Sequence, residues 1–538
     1  MQFKRKHRYL LSISSGILMA LSFPHTGGLF PLIFIAWVPL LLIEHQVYRE
    51  KYKPGKVLLH AYITFFIYNL GATFWIYYAK GGEAGAILAY FLNGFLMALA
   101  FQLFHLTKRY IGQKEGYIGI LFYWVGFEYF HYHWELSWPW INQGNIFATV
   151  PEIVQWYSYT GILGGTLWIL LINLLIFKIV SNVLFNKEKF NIQTPFIYAT
   201  VFMLMAPIVG SLITYYNYEE TKNPVEIVVT QPNVDPYNEK FSGNLTDQLN
   251  RFVKQADTLV TPKTQFVLAP ETAISRNYDE AQFEETNAYQ LLKQKVREWD
   301  GPALYLGAST FRLFDVKNSR ASRKRHNTSG FLESYNTSLL IEAINPPSFV
   351  HKSKLVLGVE KIPFSHIFPW LEQLSIENGG TSGTLGIEDT PKTLTANGIT
   401  FAPVVCYESV YGGFIAAQCR KGASAIFIIT NDGWWEDTPG HRQHHSIARL
   451  RAIETRRYVA RSANTGISSV INQRGDVIQK TKYWEPAAFR ETIQLNSEPT
   501  FYVVYGDVIG RSFSFVFFLL LAYLAVKYLR RFGNKSFR

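Results

Sequence analysis

Eight apolar stretches, each near the length that crosses a bilayer as a helix, constrain this chain more than any other feature. About 20 apolar residues span the hydrocarbon core. Such stretches fall near 9–23, 30–43, 57–78, 84–106, 117–130, 162–184, 196–215 and 513–529, several of them short or interrupted by Gly and Pro. Lys and Arg collect in short loops on the cytoplasmic side, which gives an independent test. The basic pieces "MQFKRKHR", "YREKYKPGK", "TKRYIGQK", "FNKEKF" and the C-terminal "KYLRRFGNKSFR" alternate with "PHTGG", "AKGGEAG" and "HYHWELSWPWINQGNIFATVPEIVQWYSY", which carry no Lys or Arg or one balanced Lys. The pattern predicts both termini inside and the polar segment outside the cytoplasm. It divides the chain into residues 1–217 with seven spans, an outer domain at 218–501, and residues 502–538 with an eighth span and a basic tail. The first stretch also reads as a signal peptide without a clear small-x-small cleavage site, and cleavage leaves the outer domain on the same side.

Composition agrees with a chain partly in lipid. Hydrophobic residues make up 48% of 538 and aromatics 16%, while charged residues are only 17%, against roughly 25% in soluble proteins. The net charge of +12 sits between apolar stretches rather than in a basic repeat or helix, which favours a membrane over nucleic acid. Cys406 and Cys419 are the only cysteines, so a disulfide framework and CxxC chemistry are excluded, while a single cystine stays open outside the cytoplasm. No GxxxxGK[ST] loop is present, and no cofactor or metal is expected.

Residues 218–501 change character. Short β-rich runs ("VEIVVTQ", "TQFVLAPE", "ALYLGAST", "YNTSLLIE", "FAPVVCYE", "SAIFIIT", "ISSVINQ") alternate with helix-like segments such as "FEETNAYQLLKQKVREW" and "HRQHHSIARLRAIETRRYVARS". Continuous Val/Ile runs between helices predict a layered α/β domain with strands buried on both faces. Chemistry in such domains collects beyond the carboxyl ends of strands. Glu271, Cys406 and the Asn431–Asp432–Gly433 run follow apolar runs in this way, as does Lys352 after "PPSFV".

With Glu271 in "APET", Lys352 in "HKSKLV" and Cys406 in "VVCYES", in that order, the outer domain resembles the nitrilase superfamily and its Glu-Lys-Cys triad. Seven spans before the domain and one after, "LMALSFP…AWVPLLL", "TNDGWW" and "RAIETRRYVARSANTGISSVI" make nearly the whole chain similar to the apolipoprotein N-acyltransferase family of Gram-negative bacteria. The resemblance implies a bundle of about eight transmembrane helices plus an αββα sandwich in the periplasm, in the inner membrane. It implies ping-pong transfer of an acyl chain from a phospholipid, phosphatidylethanolamine being the expected donor, through a Cys406 thioester. The acceptor is the diacylglyceryl-cysteine of an apolipoprotein. Glu271 is then the base, Lys352 and the Tyr407 N–H stabilise the oxyanion, and Glu360, Glu408, Tyr407 and Trp434 support the site. Phe241 stands where the family has a tryptophan, and Leu357-Gly358-Val359 departs from the family's loop.

Other readings of the same residues stay open at this stage. A membrane-anchored amidase of the same fold would resolve the thioester with water, although a hydrolase of small amides needs one anchor rather than eight. A transporter with an outer binding domain predicts ionisable residues in the spans, which read as almost free of them. His441 and His445 have a zinc-compatible spacing without a third ligand; a surface or substrate-facing role is the expectation. The tryptophans of "WELSWPWINQ" are expected in an interfacial belt, and Cys419 in a helix core.

Overall fold

The computed structural model describes residues 2–325, 328–374 and 383–536, the final Phe537 and Arg538 of the basic tail lying outside them. The chain forms two compact units. One comprises Met1–Phe74, Ala84–Tyr216 and Asp507–Arg538, the other Trp75–Glu83 and Asn217–Gly506.

The first unit is helical. Among the described residues, six helical segments, lying mostly in this unit, are long and apolar enough to cross a membrane: Phe30–Arg49, Gly55–Tyr78, Glu83–Tyr110, Ile162–Asn186, Phe190–Asn217 and Val508–Arg530. The stretches expected at 9–23 and 117–130 lie on the helices Arg5–Ser22 and Gln113–Phe130, which are not among those six. The spans are also less free of ionisable residues than their sequence suggests. Buried Glu44 accepts from Lys108 Nζ at 2.5 Å and pairs with His105 Nδ1 at 2.7 Å. Three ionisable side chains from two helices thus close on one another, which is what a buried carboxylate requires. The "WPWINQGN" loop is not a simple surface belt. Trp140 is buried, and the irregular backbone around it is held by buried Glu128, which accepts from Gln143 N, Trp124 Nε1 and Thr166 Oγ1 at 3.0, 3.0 and 2.6 Å. A buried loop needs such partners for its polar groups.

The second unit is an αββα sandwich. Its first sheet contains β1 (Pro224–Gln231), β2 (Thr264–Leu268), β3 (Ile274–Asp279), β4 (Ala303–Phe314), β5 (Arg323–Lys324), β6 (Phe331–Ile341) and β7 (Ser348–His351). The second contains β8 (Leu394–Ala396), β9 (Ile399–Val405), β10 (Ala425–Thr430), β11 (Val459–Ala463), β12 (Ser469–Ile471) and β13 (Val477–Lys480), and β14 (Ala487–Gln494) returns to the first. The orders are β14-β1-β2-β4-β6-β5, with β3 on β4 and β7 on β6, and β13-β12-β11-β10-β9-β8. The centres β1-β2-β4 and β9-β10-β11 are parallel.

Alternation along these strands builds three layers of core. Ile227, Val229, Phe266, Leu268, Phe427 and Ile429 point between the sheets. Their neighbours Val228 and Val267 face the helices Leu245–Asp257 and Asn287–Trp299, and Ile426 and Ile428 face the helices Gly412–Arg420 and Pro439–Thr455. A strand with both faces buried has no polar register, so its run is continuously apolar. Phe266, Tyr305, Phe401 and Phe427 form the aromatic centre, with ring centroids 4.5–5.5 Å apart along the chain of contacts.

Residues Trp75–Glu83 belong to this unit although more than a hundred residues separate them from β1. Trp75 Nε1 donates to Gln443 Oε1 at 3.0 Å, and its ring meets Trp435 edge-on at 4.6 Å. Lys80 N donates to the Tyr237 hydroxyl at 3.0 Å, and that hydroxyl donates to Trp434 O at 2.9 Å.

Candidate active site

The carboxyl ends of β2, β7, β9 and β10 meet at one place. After β2 the chain turns through Pro270 and Glu271, with Thr272 at φ +52°. Gly307 on β4 makes this possible: its N–H donates to Pro270 O at 3.0 Å, and a Cβ there would stand 2.4 Å from Thr272 N and 2.6 Å from Glu271 Cα. After β7, Lys352 N donates to Asn336 O at 2.8 Å, which points the lysine inward. After β9, Cys406 has φ +51°, a left-handed conformation that costs a non-glycine residue about 1–3 kcal/mol.

The side chains converge in a buried cluster. Lys352 Nζ donates to Glu360 Oε1 at 2.9 Å and to Glu271 Oε1 at 3.3 Å. Asn336 Nδ2 donates to the same two carboxylate oxygens at 2.8 Å each, and its Oδ1 has no hydrogen-bond partner among the described residues. Two carboxylates side by side are tolerable because one ammonium and one amide lie between them. Burial opposes the Lys352 charge, but Glu360, Glu271 and Cys406 outweigh it and raise its pKa above the ordinary lysine value. Burial, then the Glu271 charge, push the Cys406 thiol well up against the opposing pull of Lys352. The resting group is therefore a thiol. Lys240 is a second buried ammonium here: its Nζ donates to Glu271 O at 2.9 Å, and burial lowers its pKa to about 8 despite the Glu271 and Cys406 charges.

The turn that presents Cys406 has its own supports. Glu408 touches neither Glu271 nor Lys352 by hydrogen bond. It accepts from Val405 N at 2.8 Å on one oxygen, and from Ser353 N at 2.6 Å and Lys354 N at 3.3 Å on the other, so it ties the Cys406 turn to the segment after Lys352. Burial raises its carboxyl to about 7 against those donors. Tyr407 is buried with its ring edge-on to Tyr411 at 5.3 Å. Trp434 packs edge-on against Tyr237 at 5.3 Å, and Phe241, directly after Lys240, is half-buried.

Asp432, His444 and Arg461 complete the floor. His444 Nδ1 lies 2.8 Å from Asp432 Oδ1, Arg461 pairs with Asp432 Oδ2, and Thr430 Oγ1 donates to Asp432 Oδ1 at 2.9 Å. Despite burial, Arg461 and His444 hold the Asp432 carboxyl below the usual carboxylate range. Cys406 Sγ, an Asp432 oxygen and a His444 nitrogen lie within 4.8 Å of one another. Arg461 already fills that carboxylate's second oxygen with positive charge, so the trio does not fit a cation. Nor do His441 and His445 form a metal pair or a surface. Both are buried, the first stacked on Tyr483 at 3.9 Å and the second 3.0 Å from Ser469 Oγ. Cys419 is buried in its helix, and both cysteines are free, which removes the cystine left open above.

Residues 228–498, half of the chain, match the carbon-nitrogen hydrolase family model. The chain belongs to the carbon-nitrogen hydrolase family. Residues 15–175 of this hydrolase-family chain match a second model, the apolipoprotein N-acyltransferase N-terminal domain. An apolipoprotein N-acyltransferase of Chlorobaculum tepidum is 29% identical over 93% of this chain and 93% of its own. That of Geobacter metallireducens is 26% identical over 93% and 92%, and apolipoprotein N-acyltransferase 2 of Leptospira interrogans is 24% identical over 86% and 87%.

Sequence reasoning missed Asn336, Lys240, His444 and Arg461. Asn336 sits inside a strand run, and Lys240 looks like any loop lysine. His444 was hidden by its neighbours at the more familiar four-residue spacing.

Proposed function

We propose that this enzyme N-acylates the diacylglyceryl-cysteine at the N-terminus of apolipoproteins, taking the acyl chain from a phospholipid through a thioester on Cys406. Phosphatidylethanolamine is the donor in this reading, the protein sits in the inner membrane, and residues 218–501 face the periplasm. One observation carries it: a buried carboxylate–ammonium–thiol cluster in a chain whose other unit holds membrane-length helices.

The cluster suits a two-step acyl transfer. A thiol held protonated needs a base at the moment of attack. Glu271 takes the proton, sulfur adds to the ester carbonyl, and Lys352 faces the oxyanion with the Tyr407 N–H as second donor. Collapse expels the lysophospholipid alcohol, which recovers the proton from Glu271. The acceptor amine then adds to the thioester, gives its proton to Glu271 and leaves as the amide, and the thiol is restored. Glu360 and Asn336 hold Lys352 and Glu271 against each other throughout. Ester to thioester to amide needs no nucleotide, which suits a compartment without ATP.

The test incubates purified protein with phospholipid and reads intact mass. An acyl adduct removed by hydroxylamine and absent in Cys406→Ala is expected. An adduct that maps elsewhere, or that persists in Cys406→Ala, sinks the mechanism. Prompt adduct loss in water without acceptor points to hydrolysis instead.

A further inference from the structure

His444 reaches the nucleophile through its backbone rather than its sulfur. His444 Nε2 lies 3.1 Å from the Cys406 carbonyl oxygen and 2.8 Å from Ser409 Oγ, while Ser409 Oγ donates to that same carbonyl at 2.8 Å. The imidazole's other nitrogen faces the Asp432 carboxylate at 2.8 Å. A carbonyl oxygen only accepts hydrogen bonds, so Nε2 is the ring's donor toward the Cys406 carbonyl. Arg461 Nη2 lies 3.1 Å from Nδ1 but is anchored on Asp432, and it leaves the donor role of Nε2 unchanged. All four side chains are buried.

The Cys406 carbonyl and the Tyr407 N–H are two ends of one planar peptide unit. Donors on the oxygen fix that plane, and hydrogen bonds in a chain polarise one another, strengthening the N–H at the far end. Cys406 is the residue whose backbone needs holding, since it sits at φ +51°.

We propose that His444, fixed by Asp432 and assisted by Ser409, is a positioning residue that orients and polarises the Cys406–Tyr407 peptide so that its N–H meets the oxyanion. The inference rests on the acyl-transfer reading above and adds to it the group that makes the backbone donor effective. It also separates two reactions of one sulfur. Attack on an ester carbonyl builds an oxyanion; alkylation by iodoacetamide builds none.

The experiment compares the acyl-adduct formation rate and the iodoacetamide alkylation rate of Cys406 in the full-length protein, in His444→Ala, His444→Gln and Ser409→Ala. His444→Ala is expected to slow acylation about 10- to 100-fold, somewhat less than the roughly 100- to 1,000-fold loss on removing an oxyanion donor itself. Its alkylation rate should stay within about threefold of wild type, and donor KM within about twofold. His444→Gln, whose amide donates to the carbonyl, should recover part of the loss. Ser409→Ala, which keeps the imidazole, should show the same selective loss at smaller size, and it carries the test if the His444 variants do not fold. Equal losses in acylation and alkylation, or wild-type acylation in His444→Ala and Ser409→Ala, would overturn the inference. A wild-type protein that forms no adduct overturns the acyl-transfer reading itself, and the inference with it.

Discussion

Asn336 divides its two amide hydrogens between Glu271 and Glu360, and this makes it the most exposed single point in the cluster. Asn336→Asp keeps the shape but adds a third carboxylate beside two others, where Lys352 and Lys240 already serve Glu271. On the acyl-transfer reading proposed above, in which Lys352 faces the oxyanion, the added charge draws Lys352 away and acylation should fall at least about 100-fold; adduct formation followed by mass measures it. Glu408 makes a parallel case. Its two oxygens accept backbone N–H groups on opposite sides, so Glu408→Gln turns an NH2 toward an N–H whichever way it rotates. An unsatisfied buried donor costs about 1–3 kcal/mol, to be read as a lower urea midpoint together with slower acylation. Cys406 supplies a pH test. Its folded pKa is raised above the unfolded value of roughly 8.5, so its contribution to stability is fully present below that value and lost progressively as pH rises from there through the raised folded pKa. Iodoacetamide alkylation of resting protein should accordingly climb about tenfold per pH unit from pH 7 to 9. A plateau near pH 7 would mean a stabilised thiolate and contradict the burial argument.

Among the elements, the close crossing of β4 under the Glu271 turn is the least forgiving. Gly307→Ala puts a methyl into Thr272 N and Glu271 Cα. The turn must shift, and with Glu271 as the base proposed above a displacement of about 1 Å costs roughly 100-fold in rate; secondary structure by circular dichroism should stay as in wild type while acylation falls. The strand runs were readable because burial on both faces leaves an unbroken Val/Ile signature, and the residues after β2, β9 and β10 were readable because polar chemistry starts where that signature stops. Glu271, Lys352 and Cys406 stood out on those grounds and through resemblance, and Glu360, singled out by the resemblance, accepts from Lys352 and Asn336. Gly307 and Asn336 were not legible. One matters through a side chain it lacks, the other through two partners 65 and 24 residues away. The helix Pro439–Thr455 misled for a related reason: spacing along a helix says which residues share a face, but not which face is covered, and here His441, His444 and His445 are all buried. In the spans, the Glu44–His105–Lys108 group was overlooked because charges near helix ends read as loop charges until the facing helix is seen to close them.

On the scale of the molecule, the two units are not two consecutive lengths of chain. Trp75→Ala in the full-length protein removes a buried indole from the face that carries Gln443 and Trp435, a loss of about 3–5 kcal/mol. Trp75→Phe removes the donor to Gln443 and part of the buried ring, and should cost less than Trp75→Ala, about 1–3 kcal/mol. Both should appear as graded decreases in the urea midpoint, with the larger variant also slowing acylation because Trp434 and Tyr237 share that latch. If a fragment of residues 217–506 alone proved as stable as the unit within the whole chain, the Trp75–Glu83 latch would have no energetic role. The latch also sets a timetable for biogenesis. Its Trp75 leaves the ribosome several hundred residues ahead of Gln443 on the helix Pro439–Thr455, ~20–80 s at about 5–20 residues per second. Through that interval the indole of Trp75 has no Gln443 to hold. The nascent chain therefore carries an unfilled half-joint across most of its synthesis, and the latch closes only once Gln443 has been made.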